Sequence, residues 1–507
     1  MNTAEFPETR TATGTVRGRR EEGLAVFRGI PFAQPPVGEL RFAAPRPVEG
    51  WDGVREAFAF GPPPPQEPML PPTDAPAGAS AGDDWLTVNV WSPDTDPAAR
   101  RPVMVWIYGG ACRFGSADDP AYEGSRLARD GEVVVVTFNY RVGMEGFAYL
   151  DGAPANRGVL DQVAALEWVR ENITAFGGDP GQVTLFGESA GAGSVAALMA
   201  MPRARGLFGR AIAQSVPAMF MSTELAADIA GELAGELGLR PTVTDLSTVD
   251  PYKMAATVAA VSARLPQYAG RWGALAHTPT AYSHVVDGDV LPVAPWQALA
   301  EGAARDVDLI VGHTRDESRL FRALDGSLGQ INDDLAALAL NALGPVPDAV
   351  QAYRAAYPGV PAEGLFELVH SDWLFRMPSL HLAQAHAAGG GRAHLYELTW
   401  SAPAAGGALG ACHCLDVPLV FGTYGGLGQM LIGEPTPESE ALSSRFRSIW
   451  TTFATTGDPG WPAYDAETRL TQLIDTDLTV TRYPEEASRR LWQSHTFAAL
   501  PLVADAG

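Results

Sequence analysis

The chain has 507 residues, 46% hydrophobic and 19% charged, a balance that excludes a disordered polyelectrolyte and allows a large buried core. Its 36 basic against 59 acidic residues give a net charge of −23, which repels phosphate backbones and anionic membrane surfaces, so neither nucleic acid nor membrane is an expected partner. No apolar run approaches the roughly 18 residues that span a bilayer, and the opening M-N-T-A-E-F-P lacks the features of a secretory leader, so a soluble, cytoplasmic protein is expected.

Along the chain, the proline-rich stretch Gly61 to Pro76 reads as a surface loop at the mouth of the fold, because proline donates no backbone hydrogen bond and fixes φ. Val103 to Tyr108 and Val133 to Tyr140 are nearly continuous in hydrophobicity, as strands buried on both faces are. In Asp161 to Phe176, residues Val163, Leu166, Val169, Ile173 and Phe176 share one helical face and predict a crossover helix. Val183 to Gly187 reads as a third strand, followed by a small-residue helix from Ala190 to Met201. Residues 218 to 388 are dominated by helical patterns, interrupted by V-V-D-G-D-V at Val285 to Val290 and a fourth strand at Asp308 to Gly312. Ala393 to Trp400 is another strand. Strands alternating with helices predict an α/β fold with a large, mostly parallel sheet. We expect one domain over 1–507, with roughly 218–388 forming a helical cap insertion that includes the strand bearing the acid.

The chemistry centres on G-E-S-A-G at Gly187 to Gly191, placed between a strand and a helix. That context predicts a sharp turn whose glycines let neighbouring backbone approach while the Ser189 hydroxyl stands exposed, with the positive helix end beside a developing oxyanion. The loop Tyr108-Gly109-Gly110-Ala111, directly after a buried strand, offers N–H groups for an oxyanion hole, with Gly110, Ala111 and Ala190 as the candidate donors. A serine nucleophile needs a base and an acid to orient it, and in this arrangement they follow in the order acid, then histidine. Asp316 and Glu317 both lie in the turn after the Asp308 strand. Of the later histidines, His370, His381, His386, His394 and His495 read as packing or surface residues, whereas His413 sits in the Gly/Ala-rich loop G-A-C-H-C-L-D-V-P. The three cysteines, Cys112, Cys412 and Cys414, are too few and too odd for a disulfide framework, and the C-x-C around His413 matches no usual zinc site. No metal and no organic cofactor are expected.

These residues resemble the type B carboxylesterases, the group that includes cholinesterases and bacterial para-nitrobenzyl esterases. The likeness runs through F-R-G-I-P-F-A-Q-P-P-V-G-E-L-R-F at Phe27 to Phe42, L-T-V-N-V-W, W-I-Y-G-G-A, F-N-Y-R-V-G and L-D-Q-V-A-A-L-E-W-V-R-E-N-I. It continues through G-E-S-A-G-A-G-S, G-L-F-G-R-A-I-A-Q-S, T-R-D-E, C-H-C-L-D-V-P-L-V-F-G and T-T-G-D-P-G-W-P. The resemblance implies an α/β-hydrolase fold with a mixed sheet and a gorge-like site, and it selects Glu317 over Asp316 as the acid and His413 as the base. Relatives often carry a disulfide where Trp85 and Pro64 stand here, which agrees with a reducing compartment. Tyr108 stands where relatives of the bacterial branch usually have histidine, and Cys112 where an aromatic often follows, which implies a roomier pocket. Arg113, at a position often apolar, is read as meeting a carboxylate on a half-ester substrate or as an ordinary surface or salt-bridged arginine.

The expected reaction is hydrolysis of small or aryl carboxylic esters through an acyl-enzyme, failing as pH drops below a His413 pKa near neutrality. The alternatives are an amidase, carbamate hydrolase or thioesterase with the same triad, or a catalytically silent recognition module. A monomer or small homo-oligomer is expected.

Overall fold

Apolar runs with no polar face to give to solvent belong in the middle of a sheet covered on both sides. The computed structural model, which describes residues 5–67 and 82–503, places the runs that start at Val103, Val133, Val183 and Asp308 there. The strands of the large sheet are β1 (Arg19–Glu21), β2 (Leu24–Pro31), β3 (Thr87–Ser92), β4 (Arg101–Ile107), β5 (Val134–Phe138) and β6 (Gly178–Glu188), followed by β7 (Arg210–Gln214), β8 (Asp308–Thr314), β9 (Ala393–Leu398), β10 (Leu470–Ile474) and β11 (Leu478–Arg482). They lie in the order β11-β10-β9-β8-β7-β6-β4-β5-β3-β2-β1. The six pairings from β10 across to β5 are parallel, and the four at the two edges are antiparallel. This is the mixed, mostly parallel sheet of an α/β-hydrolase.

The crossover helix, α1 (Arg157–Asn172), starts four residues earlier than its apolar face suggested, and Ile173–Phe176 closes it as a separate tight turn. Arg157 explains the early start. Its guanidinium is fully buried and donates to the carbonyls of Glu145, Pro154, Met144 and Ala148, so a residue that reads as solvent-facing is an interior tie. Asp161 on the same helix holds Arg141 in a buried ion pair at 2.7 Å. Strand β6 likewise begins before its apolar core, because Gly178 already pairs with Arg101 of β4.

Between 218 and 388 the longest helices are Thr223–Glu236, Pro251–Ser262, Asp333–Leu343, Ala362–Ser371 and Met377–Ala388. The V-V-D-G-D-V segment supplies only the end of a short strand, His284–Val286, which pairs with Phe220–Ser222 outside the large sheet. Its Asp287 instead accepts from the Leu291 N–H at 2.9 Å and makes a turn. Of the proline-rich stretch, residues 61–67 run irregularly, and residues 68–76 lie outside the described residues. Gln66 joins that backbone to Gly115, whose N–H donates to Oε1 at 2.7 Å. Among the described residues no helix is long and apolar enough to cross a membrane.

The parallel strands all end at one edge, where open α/β sheets collect their ligands. Ser189 follows β6, the Tyr108 to Ala111 loop follows β4, Glu317 follows β8 and His413 lies in the loop after β9.

Candidate active site

Ser189 sits at φ 57°, ψ −125°, a conformation that a non-glycine residue adopts only when its surroundings impose it. The imposition comes from β6 and the helix that follows, α2 (Ala190–Ala200), which packs back on β6 and β7. A Cβ on Gly191 would stand 2.1 Å from the Ile107 carbonyl oxygen, and one on Gly187 would stand 2.8 Å from backbone atoms of Gly191 and Ile107. Any side chain at either position would push the turn away from β4, so the two glycines are what allows the strand to stop and the hydroxyl to project.

The His413 Nε2 lies 2.9 Å from Ser189 Oγ, and its Nδ1 lies 2.5 Å from Glu317 Oε2. Glu317 Oε1 accepts from Ser215 Oγ at 2.6 Å and from the Thr314 N–H at 2.9 Å, so the carboxylate is held at both oxygens. The imidazole stacks on Phe375 with ring centroids 4.2 Å apart, which fixes its plane. Asp316, the other candidate acid, accepts from the Ala411 N–H at 2.8 Å. It anchors the loop that carries His413 and does not touch the ring. His370, His386 and His394 donate a ring N–H to the carbonyls of Phe366, Val307 and Trp461.

The relay is buried, so its charges are strongly coupled. Burial opposes the Glu317 charge, but His413 and the hydrogen bonds from His413 and Ser215 outweigh it and hold its carboxyl below the usual range. Burial also opposes the His413 cation, and the charges of Glu188 and Glu317 overcome it, lifting the imidazole to about 9. The direction is upward from the ordinary histidine value because two carboxyl groups face the ring, one at each nitrogen. Glu188 Oε1 stands 3.1 Å from Nε2. Burial raises the Glu188 carboxyl to about 8 against the pull of the His413 charge.

Gly110 and Ala111 lie in a tight loop with φ 99° and 56°. A Cβ on Gly110 would meet the Phe114 carbonyl oxygen at 2.1 Å, so glycine is required where the loop doubles back. Gly110, Ala111 and Ala190 line, with Ser189 and His413, a cavity of about 730 Å³. Among the described residues their N–H groups meet no protein acceptor, as the first turn of a helix and an open loop leave them. Cys112 lines the cavity but is almost wholly buried, and burial pushes its thiol up. Arg113 lines the cavity too, its guanidinium carbon 5.4 Å from the Phe114 ring centroid. Its Nε is buried without a hydrogen-bond partner, and it makes no ion pair among the described residues. Tyr108 is different from expectation. It is fully buried, stacked on Tyr140 at 4.4 Å with its hydroxyl 3.2 Å from the Tyr140 carbonyl oxygen, and it supports the loop from beneath without lining the cavity.

This sequence matches the carboxylesterase family over residues 5–492. It is 40% identical to the para-nitrobenzyl esterase of Bacillus subtilis (strain 168) over 497 residues, 95% of this chain and 97% of that protein. It is 34% identical to the phenmedipham hydrolase of Pseudarthrobacter oxydans over 91% of this chain and 93% of that one. A crystal structure of a Geobacillus stearothermophilus carboxylesterase superposes with a TM-score of 0.83 at 37% identity, covering 96% of this chain and all of the other. The chain belongs to the carboxylesterase family. It is a serine carboxylic-ester hydrolase.

Three features of this carboxylesterase escaped the reading of its sequence. Glu188 is the variable residue of G-E-S-A-G, and its place after a buried strand and beside the serine was the available signal. Cys414 lines the cavity next to His413. Ser194, one turn along α2, lies 3.0 Å from His284 Nε2 and makes a second Ser–His pair. That pair is buried, Gln162 donates to the Ser194 oxygen at 3.0 Å, and His284 Nδ1 has no partner, so no acid orients the ring. Burial holds His284 neutral, with its pKa pushed down to about 3.

Proposed function

We propose that this carboxylesterase hydrolyses small or aryl carboxylic esters with Ser189 as nucleophile, His413 as general base and acid, and Glu317 as the group that orients His413. The observation that carries this reading is the continuous hydrogen-bonded run from Ser189 Oγ through His413 to Glu317 at the wall of a large cavity. His413 Nε2 takes the Ser189 proton as Oγ adds to the ester carbonyl, and the Glu317 charge stabilises the imidazolium. The same proton passes to the departing alcohol. Water then repeats the sequence and releases the acid from the acyl-enzyme. The N–H groups of Gly110, Ala111 and Ala190 receive the oxyanion, and one such donor is worth about 3 kcal/mol of barrier. The helical stretch over 218–388 acts as a cap that walls the cavity through residues such as Met219, Phe321 and Leu374. Three free thiols support a reducing, cytoplasmic setting.

Arg113 extends the reading to the substrate. A partly buried guanidinium with an unpaired Nε on the cavity wall favours a carboxylate in the bound ligand. A panel of a neutral ester, the matching half-ester of a diacid and the amide of the same acyl group tests both ideas. The neutral ester is expected to turn over much faster than the amide, and the reverse would favour an amidase. Arg113→Ala should lower half-ester kcat/KM about tenfold relative to the neutral ester, the size of a charge-assisted hydrogen bond. An unchanged ratio contradicts the assignment of Arg113.

Glu188 sets the working pH through His413. Its negative charge stabilises the imidazolium, so it raises the pH at which the base becomes free. Glu188→Gln should therefore move the acid limb of the kcat/KM profile to lower pH. The limb read from a pH series on the neutral ester checks this, and a shift upward or none contradicts it.

A further inference from the structure

Beside the proton relay, the cavity wall holds three unlike donor atoms converging on one point. The Cys414 thiol, a His413 ring nitrogen and a Glu188 carboxylate oxygen all lie within 4.8 Å of one another, and the ring nitrogen that faces Glu188 Oε1 is Nε2. Glu188 is buried, and its Oε1 accepts no hydrogen bond in the described structure. Cys414 is only half-buried and lines the cavity that opens on Ser189, so a solute has a path to it.

Around a tetrahedral zinc-like ion, neighbouring nitrogen, oxygen and sulfur ligands stand about 3.3 to 3.6 Å apart. His413 Nε2 and Glu188 Oε1 are already at 3.1 Å, so small side-chain movements bring all three atoms onto one ion. The charge also balances. A thiolate and a carboxylate offset a dication in a site where an unpaired charge is costly. The soft thiolate favours Zn²⁺ or Cd²⁺ over Mg²⁺ or Ca²⁺, which prefer oxygen alone.

The geometry points to an inhibitory site for one thiophilic divalent cation, bound by the Cys414 thiolate, His413 Nε2 and Glu188 in place of the Ser189 hydrogen bond. On binding, the thiol proton and any proton on Nε2 or Glu188 pass to solvent, so affinity rises with pH. The ion takes the Nε2 lone pair that accepts the Ser189 proton. Hydrolysis therefore stops while the ion is bound and returns when a chelator removes it. This site is distinct from any cofactor, since the proposed reaction runs without it.

The binding arm does not depend on the catalytic reading, and the inhibition arm rests on it. Cd²⁺ is titrated into the full-length protein while the ultraviolet thiolate-to-cadmium charge-transfer band and neutral-ester turnover are both followed. The wild type should show the band saturating at one ion per chain, with turnover lost in parallel and restored by EDTA. Cys414→Ser, which keeps the side chain's size, should lose the band and raise the inhibitory Cd²⁺ concentration at least about tenfold, the lower end of what a weakened metal shell costs. Cys112→Ala should keep the band. Absence of the band in the wild type, its survival in Cys414→Ser, or equal inhibition of both proteins overturns the site. A band with no turnover in any protein upholds the site and overturns the proposed catalytic reading.

Discussion

Replacing Ser189 by alanine should lower kcat on a neutral ester by about 10⁶-fold, or about 8 kcal/mol of barrier, the loss seen when a serine nucleophile is removed from a preorganised site. The fold should not change, because alanine keeps the Cβ at φ 57° and the hydroxyl contributes one bond, to His413. What remains is the slow attack of water in a site that still offers the Gly110, Ala111 and Ala190 donors. Ser194→Ala is the matched control. It removes a hydroxyl on α2 that has its own histidine, yet it should keep most of the turnover, since burial holds His284 neutral and no acid orients its ring. Steady-state kinetics on the two variants side by side checks both statements, and equal losses would contradict them.

Glu317→Gln should cost about 10⁴-fold in kcat with KM little changed, the scale of losing the tautomer control that a triad acid provides. The reason is specific to the two donors on Oε1. Ser215 O–H and Thr314 N–H both donate there, so the glutamine carbonyl oxygen takes that place and its NH₂ faces His413 Nδ1. The ring must then accept at Nδ1 and carry its proton on Nε2, where it cannot take one from Ser189. Asp316→Asn should cost far less, because Asp316 holds the Ala411 N–H and not the ring. Kinetics with circular dichroism as a folding control distinguishes the two. A loss below tenfold for Glu317→Gln would remove it from the relay.

The central strands and the serine turn were legible because their signals are local. A run such as V-V-V-V-T-F has no polar face, and two glycines flanking a serine between a strand and a helix describe a turn before any coordinates exist. Glu317 was only half legible: chain order reached the pair Asp316 and Glu317, and resemblance chose between them. The structure explains why order alone fell short, since both carboxylates serve the His413 loop, one through its backbone and one through its ring. Residues that break the usual link between charge and exposure were not legible. Arg157 and Arg141 lie inside because backbone carbonyls and Asp161 satisfy them. Tyr108 was read toward the pocket because it stands where relatives usually have histidine, but its ring and hydroxyl are committed to Tyr140. The approach of Glu188, at the end of β6, to the His413–Cys414 loop joins two segments that are distant in sequence, and no periodicity reports it. The raised pKa of His413 follows from that same juxtaposition.

Reaction with diisopropyl fluorophosphate, followed by digestion and mass mapping of the modified peptide, tests the nucleophile most directly. One adduct per chain should appear on the peptide containing Ser189, rising in step with loss of ester turnover and absent from Ser189→Ala. An adduct on Ser194 or on any other residue, or loss of turnover with Ser189 unmodified, would contradict Ser189 as the attacking group.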